Sequence, residues 1–460
     1  MRILFKVLVV FVVITFFVCP EIMATEQKKE PSVNEKILEI LIEKNIITKE
    51  QYKELRQLAQ EEEIDKKPKA VAGFNKGFYI ESTDKQHKIK FDGRFHGDFK
   101  AYLDDHPDHS SFFVRRARLA ASGTLYKYYD FRVEAEFGKG GSRLNDGFMN
   151  IHYWPQAQIK FGQFKMPFSM EELTSDNWID FIERSVVNKL VPSRDLGVML
   201  HGGLQDQLFY YQLGVFNGYK LNQVNDPDNG KDLAFRLMVS PFIKTGHKAI
   251  EGLHFGGALT YGNENLTKDQ WWNSGSFKTA AGTTYLSMAN GVVQDGERTR
   301  GGLELYWDWG STALKGEYMV TQLDGLQINN QNNHFDIKGG YLSISHYLTG
   351  EKFTFKNGQP GRSVPLKNFE PGTPGWGAWQ IGARFEFLEA DQGLLDLGYV
   401  DSTLYTDKTY GYTLGINWYP NEMVRFMLNY YHMKFDDAIT VSGQQIDDED
   451  VILTRFQMVF

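Results

Sequence analysis

The sequence predicts an all-β fold, a 16-stranded antiparallel transmembrane β-barrel behind a short helical, coiled-coil-like leader. Three observations predict it. From residue 87 onward apolar and polar residues alternate with a period of two, over runs longer than soluble strands usually reach. The runs number sixteen, and a single-chain bacterial barrel has an even count. The connections between them alternate between short and long, as periplasmic turns and outer loops do.

Composition excludes several alternatives. The chain has 460 residues, 42% of them hydrophobic, and a mean hydropathy of −0.40. A helical membrane protein of this size needs several apolar runs of roughly 18 residues or more, and only the N-terminus carries an apolar stretch. One cysteine excludes a disulfide scaffold and a cysteine zinc site. A net charge of −8 argues against nucleic-acid binding.

Residues 1–24 read as a secretory signal peptide: Arg2 and Lys6 precede the apolar run Val7 to Val18, and Ala24 offers a small cleavage residue. A single membrane anchor is the other reading, although the run is short for one. Cys19 raises a lipoprotein alternative, against which its bulky preceding residues, Phe16-Phe17-Val18, count. Cleavage would remove Arg2, Lys6 and Glu21 and take the net charge from −8 to −9. Residues 25–64 read as a helical hairpin. Ser32 with Glu35, and Thr48 with Gln51, have capping-box spacing. Ile37, Leu38, Leu41 and Ile42 share one helix face; Tyr52, Leu55, Leu58 and Ala59 share another. Alone the hairpin buries too little to be stable, so it is expected to self-associate or dock, or else to remain a frayed leader. Residues 65–86 read as a linker and 87–460 as the barrel.

The first barrel run sets the parity. Ile89, Phe91, Gly93, Phe95, Gly97, Phe99, Ala101 and Leu103 alternate with Lys88, Lys90, Asp92, Arg94, His96, Asp98, Lys100 and Tyr102. One face suits lipid and the other water. Ala117, Leu119, Ala121, Gly123 and Leu125 then alternate with Arg116, Arg118, Ala120, Ser122 and Thr124, and Phe131, Val133, Ala135 and Phe137 with Arg132, Glu134 and Glu136. Thirteen further runs lie at 146–154, 157–165, 194–203, 207–217, 231–242, 252–262, 299–309, 312–322, 336–348, 377–388, 409–419, 423–434 and 450–460. Closure leaves no unpaired edge in lipid.

Short connections are expected at Tyr126 to Tyr129, Pro155-Gln156, Leu204 to Asp206, Gly310-Ser311 and Pro420 to Glu422. Long ones are expected at Gly138 to Asn145, Met166 to Ser193, Asn217 to Gly230, Gly262 to Arg298 and Phe435 to Glu449. Thr349 to Trp376 is long where a short turn is due; either the count is off by two strands there or this segment folds inward. Trp154, Trp307, Trp309, Trp379 and Trp418 all fall at inferred periplasmic strand ends, where indole forms interfacial belts. The C-terminal Phe460 shares a face with Ile452, Thr454, Phe456 and Met458. That ending resembles the signal by which the barrel-assembly machinery recognises outer-membrane barrels.

Six segments carry a resemblance, in order along the chain: Phe113-Val114-Arg115-Arg116-Ala117-Arg118-Leu119, Phe161 to Ser169, Pro192 to Val198, Leu348-Thr349-Gly350-Glu351, Trp376-Gly377-Ala378-Trp379 and Asn417-Trp418-Tyr419-Pro420-Asn421. On these the chain resembles the phosphate-selective porin O and P family of Gram-negative outer membranes, over about residues 85 to 460. The resemblance implies a homotrimer of 16-stranded barrels set among outer-membrane lipid and lipopolysaccharide. Loops would fold into the lumen, and an Arg- and Lys-lined channel would pass phosphate or other small anions.

Parity assigns the lumen independently of that resemblance. Inward bases are Lys90, Arg94, Lys100, Arg116, Arg118, Arg132, Lys160, Arg236, Lys315, Arg384, Arg425 and Arg455; inward acids are Asp92, Asp98, Glu134, Glu136, Glu304, Glu317 and Glu386. Twelve against seven is a cationic lining, which focuses anions in a narrow pore. The same charges could instead pair across the wall and brace the barrel. Acid is expected to concentrate in outer loops, at Asp104, Asp105, Asp108, Asp226, Asp228 and Asp447 to Asp450. The segment Met166 to Ser193 is the expected constriction, with Glu171, Glu172, Trp178 and Arg184 in it and Arg194 beside it. Trp178, Ile179, Phe181 and Ile182 would be its apolar core.

Enzyme motifs such as His-Glu-x-x-His and Gly-x-Ser-x-Gly do not occur. His106-Pro107-Asp108-His109 and Asp226 to Gly230 could hold a metal, but read more simply as solvated loops, so no cofactor or metal is expected. The rivals to an anion channel are a nonspecific porin and a non-conducting barrel acting as an adhesin or envelope tether. The small outward residues Gly93, Gly97, Ala101, Ala117, Ala121 and Gly123 mark the first two strands as a candidate subunit interface; relief of curvature is the alternative.

Overall fold

A computed structural model describes residues 33–460 apart from 45, 67–68, 104–105, 139–140, 220–221, 223–225, 227, 272 and 330. The expected signal peptide and the Ser32 cap, together with Asp104 and Asp105, lie outside the described residues. The chain forms two units, one up to Lys69 and one from Ala70 to Phe460.

In the first unit α1 (Val33–Glu43) and α2 (Lys49–Lys66) pack as a hairpin. The capping box at the start of α2 forms as its spacing predicts. The Thr48 N–H donates to Gln51 Oε1 at 3.0 Å, and the Gln51 N–H donates to Thr48 Oγ1 at 3.2 Å. Among the described side chains of these helices only Leu38 is buried, while Ile37, Ile40, Leu55 and Leu58 stay exposed.

The second unit is a closed antiparallel barrel. Its wall strands are β3 (Lys88–Tyr102), β4 (Ser111–Leu125), β5 (Tyr129–Glu136), β6 (Arg143–Trp154), β7 (Ala157–Lys165), β8 (Arg194–Leu204), β9 (Phe209–Phe216), β10 (Asp232–Val239), β11 (Gly252–Thr267), β14 (Val293–Trp309), β15 (Thr312–Ile328), β16 (Gln331–Tyr347), β19 (Ala378–Ala390), β20 (Lys408–Tyr419), β21 (Val424–Val441) and β22 (Gln444–Val459). Each pairs with the next, and β22 pairs with β3, Val451 opposite Tyr102 through Val459 opposite Arg94, so the wall closes. Sixteen strands at the expected positions bear out the fold. Minor strands lie before and between them: β1 (Ala70–Phe74), β2 (Phe78–Ser82), β12 (Ser276–Lys278), β13 (Thr284–Ser287), β17 (Phe355–Lys356) and β18 (Gln359–Pro360).

Several expectations need correction. Residues 65–86, read as a linker, contain the end of α2 and the β1–β2 hairpin, which pairs with β3. The short runs of a tether, Ala70 to Phe74 and Phe78 to Ser82, are apolar enough to pair once an edge is offered. The outer connection expected at Gly262 to Arg298 shrinks to 268–292, because β11 and β14 continue above the membrane band. The one expected at Phe435 to Glu449 is a hairpin with a two-residue turn, Ser442 at φ 49° and Gly443 at φ 82°. Both left-handed φ values match the twist of the flanking strands. Asp447 to Asp450 therefore lie on β22 rather than in a loop, and Glu449 is buried. A polar sequence alone does not separate a loop from a strand that rises into water. Residues 240–251, by contrast, form a longer periplasmic connection than expected.

Segment 348–377 resolves the open alternative: no strand is miscounted, and the connection folds inward. The Gly358 carbonyl accepts from buried Arg236 at 2.7 Å, and the Phe355 ring stacks 4.0 Å from that of His254. The expected tryptophans do sit beside periplasmic connections. Trp379 and Trp418 stack at 5.6 Å, and Trp307 lies 4.4 Å from Trp309. The glycines on the outer face of β3 and β4 make room for rings of the same chain: a Cβ on Gly93 would stand 2.6 Å from the Phe460 ring, one on Gly97 3.2 Å from Phe95, and one on Gly123 2.9 Å from Phe131.

Candidate functional site in the charged lumen

The third outer connection, 166–193, enters the barrel and spans it. Ser169 caps the helical turn Met170–Leu173, its Oγ accepting from the Glu172 N–H at 3.1 Å, and turns the chain inward. The next stretch sends three carboxylates to three places on the wall. Asp176 meets Arg94, Arg116 and Arg118. Asp180 meets Lys315 at 2.6 Å and accepts from Ser345 and Gln380. Glu183 accepts from Arg115 at 2.5 and 2.8 Å and from Arg455 at 3.2 Å. The expected apolar residues brace this path. Ile179, Phe181 and Ile182 are buried, and Phe181 lies beneath Arg384 and against Gly382 and Gly415, where a Cβ would stand 3.2 to 3.3 Å away.

Arg115 is an inward base that strict parity hides. A bulge opposite His96 and Gly97 inserts it as an extra residue, so Arg115 and Arg116 both reach the loop. Asp180 was also missed, as were Arg298 and Arg300. Arg300 lay within the expected run 299–309 and shares the parity of Glu304, and Arg298 would have joined it had the strand been started earlier.

Electrostatics hold the loop in place. Burial alone would raise the Asp176 carboxyl, but the guanidiniums of Arg116, Arg94 and Arg118 reverse this and hold it well below the usual range. Glu172, also buried, is drawn down to about 2 by Arg184, Lys165 and Arg194. For Glu171 burial wins over Arg384 and the carboxyl titrates higher than usual.

The expected constriction residues take different places. Glu171 accepts from Ser185 and approaches Arg384 at 3.5 Å. Glu172 binds Arg184 at 3.4 Å within the loop, and Arg184 donates to the carbonyls of Glu171 and Thr174 at 2.9 Å. Both brace the loop from within. Trp178 lies beneath Arg362 of the periplasmic connection at 4.8 Å. Arg194 binds Asp146 at 2.7 Å.

Most of the inward bases are paired. Arg94 and Arg118 contact Glu134, Arg118 also binds Glu136, and Arg132 bridges Asp92 and Glu134. Arg236 binds Glu304, Arg384 binds Glu386, and Arg455 binds Asp98. Arg425 donates to the carbonyls of Ile179 and Asp180. Lys100 donates to the Ala281 carbonyl at 2.9 Å. Lys160 lies over the Phe148 and Phe164 rings at 4.7 and 5.4 Å. Lys90 is half-buried on β3.

Water reaches the two sides of the lumen unequally. Side chains on the β3–β8 wall keep some exposure, 20% for Arg132, 18% for Asp92 and 12% for Arg194. Exposure falls to 0% for Arg236 on β10 and 2% for Arg384 on β19, and to 0% for Arg455 on β22, beside β3. The reason is packing. Val187, Leu190, Trp271, Tyr285, Leu286 and Tyr399 join 186–190, 268–292 and 391–407 into one apolar cluster over the far wall. A cavity of about 180 Å³ is lined by Arg143, Arg194 and Asp195 and by Arg298 and Arg300 of β14, among others. His106 stacks on Tyr102 at 3.9 Å and accepts from the Asp108 N–H. Among the described residues no group of three or more His, Cys, Asp and Glu is placed to hold a metal.

The comparisons with known proteins agree with this architecture. The family model described as phosphate-selective porin O and P matches residues 89–460. Porin O of Pseudomonas aeruginosa is 25% identical over 418 residues, which are 84% of this chain and 91% of that protein. An uncharacterised protein of Caulobacter vibrioides is 25% identical over 343 residues, 71% of this chain and 63% of that one. Among solved structures, the outer membrane channel DcaP of Acinetobacter baumannii superposes with a TM-score of 0.50 at 11% identity, covering 85% of this chain and all of that one, a likeness of fold.

Proposed function

Because this chain belongs to the phosphate-selective porin O and P family and forms a channel across the outer membrane, we propose that it passes small anions such as phosphate along the β3–β8 wall. The observation that carries this reading is the sign of the charges that wall leaves partly exposed. Lys90, Arg94, Lys100, Arg115, Arg132, Lys160, Lys165 and Arg194 are set against Asp92, Asp130 and Asp146, so bases outnumber acids. Among the described residues no carboxylate lies within ion-pair distance of Lys90 or Lys160, which leaves their charge to act on a passing ion. In a narrow pore with low-dielectric walls even a small excess concentrates the counter-ion. Arginine suits phosphate because its planar fork donates two hydrogen bonds at once.

A weakly selective channel is the second reading, and the pairing of Arg118, Arg236 and Arg384 with carboxylates favours it. We also propose a homotrimer within lipid and lipopolysaccharide, assembled through recognition of the Phe460 terminus. Reversal potentials in planar bilayers under a salt gradient test the selectivity. Anion preference with phosphate blocking the chloride current is the expected result; zero or cation preference overturns it.

A further inference from the structure

We propose that the β1–β2 hairpin is an inserted piece of the barrel wall, its outer face lying against the acyl chains of the periplasmic leaflet. This rests on the outer-membrane placement and is independent of what the channel passes.

The geometry of the seam carries the argument. β22 stops short of the end of β3. Its last ladder pair is Val459 with Arg94, and Phe460 then exchanges two backbone hydrogen bonds with Gly93, at 2.9 and 3.1 Å. On its other edge β3 stays paired with β4 as far as Lys88 opposite Thr124. The edge of β3 from Lys88 to Phe91 therefore lies beyond the reach of β22. An open edge is not tolerated in hydrocarbon, where no water can satisfy its N–H and C=O groups. β2 fills that gap, with Phe78 opposite Phe91, Tyr79 opposite Lys90, Ile80 opposite Ile89 and Glu81 opposite Lys88. β1 then covers β2.

The hairpin also continues the two faces of the wall. Phe91 is outward, and its partner Phe78 shares that face with Ile80 and Phe74. All four are exposed, Phe78 the most, at 61%. The opposite face carries the charges, with Val71 beside them: Lys88 lies 3.4 Å from Glu81 and 4.5 Å from the Tyr79 ring centre. A stray periplasmic hairpin has no reason to reproduce this division, and exposed aromatics in water are a liability.

Depth follows from register. Phe91 is opposite Ala121 and Ile89 opposite Gly123 on β4. The exposed tyrosines Tyr126 and Tyr128 come after Leu125, in the turn that follows β4. Tyrosine rings mark the membrane interface, so Phe78 and Ile80 stand on its hydrocarbon side. The hairpin belongs to the barrel unit, which begins at Ala70.

Bimane fluorescence on single cysteines in a Cys19→Ala background tests this, with the whole protein folded into phospholipid vesicles. Phe78→Cys and Ile80→Cys report one face, Tyr79→Cys and Glu81→Cys the other. Lipids carrying a nitroxide on the acyl chain are expected to quench positions 78 and 80 several-fold more than 79 and 81. Iodide in the water is expected to do the reverse. Quenching of 78 and 80 by iodide without a lipid effect would place this face in water. Protection from both quenchers would show that protein, a second copy or the helical leader, covers it. Either result overturns the proposal. Phe91→Cys, within the wall itself, calibrates the lipid signal, and Ile80→Cys carries the test if Phe78→Cys fails to show heat-modifiable migration.

Discussion

The guanidinium of Arg362, on the connection that enters the lumen from the periplasmic side, lies 4.8 Å from the centre of the Trp178 ring, on the loop that enters from outside. Two chain segments from opposite ends of the barrel thus meet inside it. Arg362 is tied to the rim through Glu422, whose carboxylate is 3.5 Å away. The loop carrying Trp178 is tied to the wall by Asp176, Asp180 and Glu183. Neither segment can leave the lumen without breaking this contact.

Arg362→Ala is expected to loosen the junction. A cation–π contact contributes about 0.5–2 kcal/mol, so thermal stability falls slightly while single-channel current becomes larger or noisier. Unchanged conductance and noise would show that the contact does not limit the passage.

Asp176→Asn should harm the barrel more than any surface change, because it leaves Arg94, Arg116 and Arg118 without their shared acceptor. Breaking a buried ionic group in this way costs about 3–5 kcal/mol. The pH dependence follows. The folded carboxyl titrates well below the ordinary aspartate value, so its contribution is fully present above that ordinary value and is lost as pH falls through the lower, folded one. Unfolding temperatures of parent and variant should differ at pH 6 and converge only in strong acid, below about pH 4. A difference that vanished already near neutrality would contradict this.

Lys90→Glu with Lys160→Glu reverses two charges that no described carboxylate pairs, Lys160 standing over the Phe148 and Phe164 rings. The anion-to-cation permeability ratio is expected to fall severalfold with normal folding, read from the reversal potential. Arg236→Ala should act the other way round: it strands Glu304 and the Gly358 carbonyl, so stability is lost more than selectivity.

Gly93→Trp should block barrel closure rather than subunit contact, since even a Cβ there would stand 2.6 Å from the Phe460 ring and 3.0 Å from the Arg118 carbonyl. Failure to gain heat-modifiable migration is expected. Ala121→Trp, opposite the outward Phe91, tests the outer face as a subunit interface; an unaltered oligomer on a mild-detergent gel would exclude that face.

Much of this was legible before any coordinates. The alternation beginning at Ile89 placed Arg94, Arg116, Arg118, Arg236, Arg384 and Arg455 inside, and all of them are there. The length and aromatic content of Met166 to Ser193 marked the segment that crosses the lumen. The outer loops read too long share one cause. The rising parts of β11, β14 and β22 are largely polar on both faces, so little alternation separates them from loops.

By itself the sequence determined which side of the wall each residue faces and how many strands close it. Both follow from a side-chain period of two and the need to leave no edge in lipid, and these are local rules. Only the tertiary structure decided which charges meet. Arg455 finds Asp98 across 357 positions and Lys315 finds Asp180 across 135. Such distances depend on register, and a single bulge beside His96 sends Arg115 inward against its parity. The structure alone also decided that apolar loops cover one side of the lumen. A charge read as lining an open passage can then stand either in water, as Arg132 does in part, or sealed against its partner, as Arg236 is. Coulomb attraction and burial act between residues far apart in the chain, and no spacing along it records them.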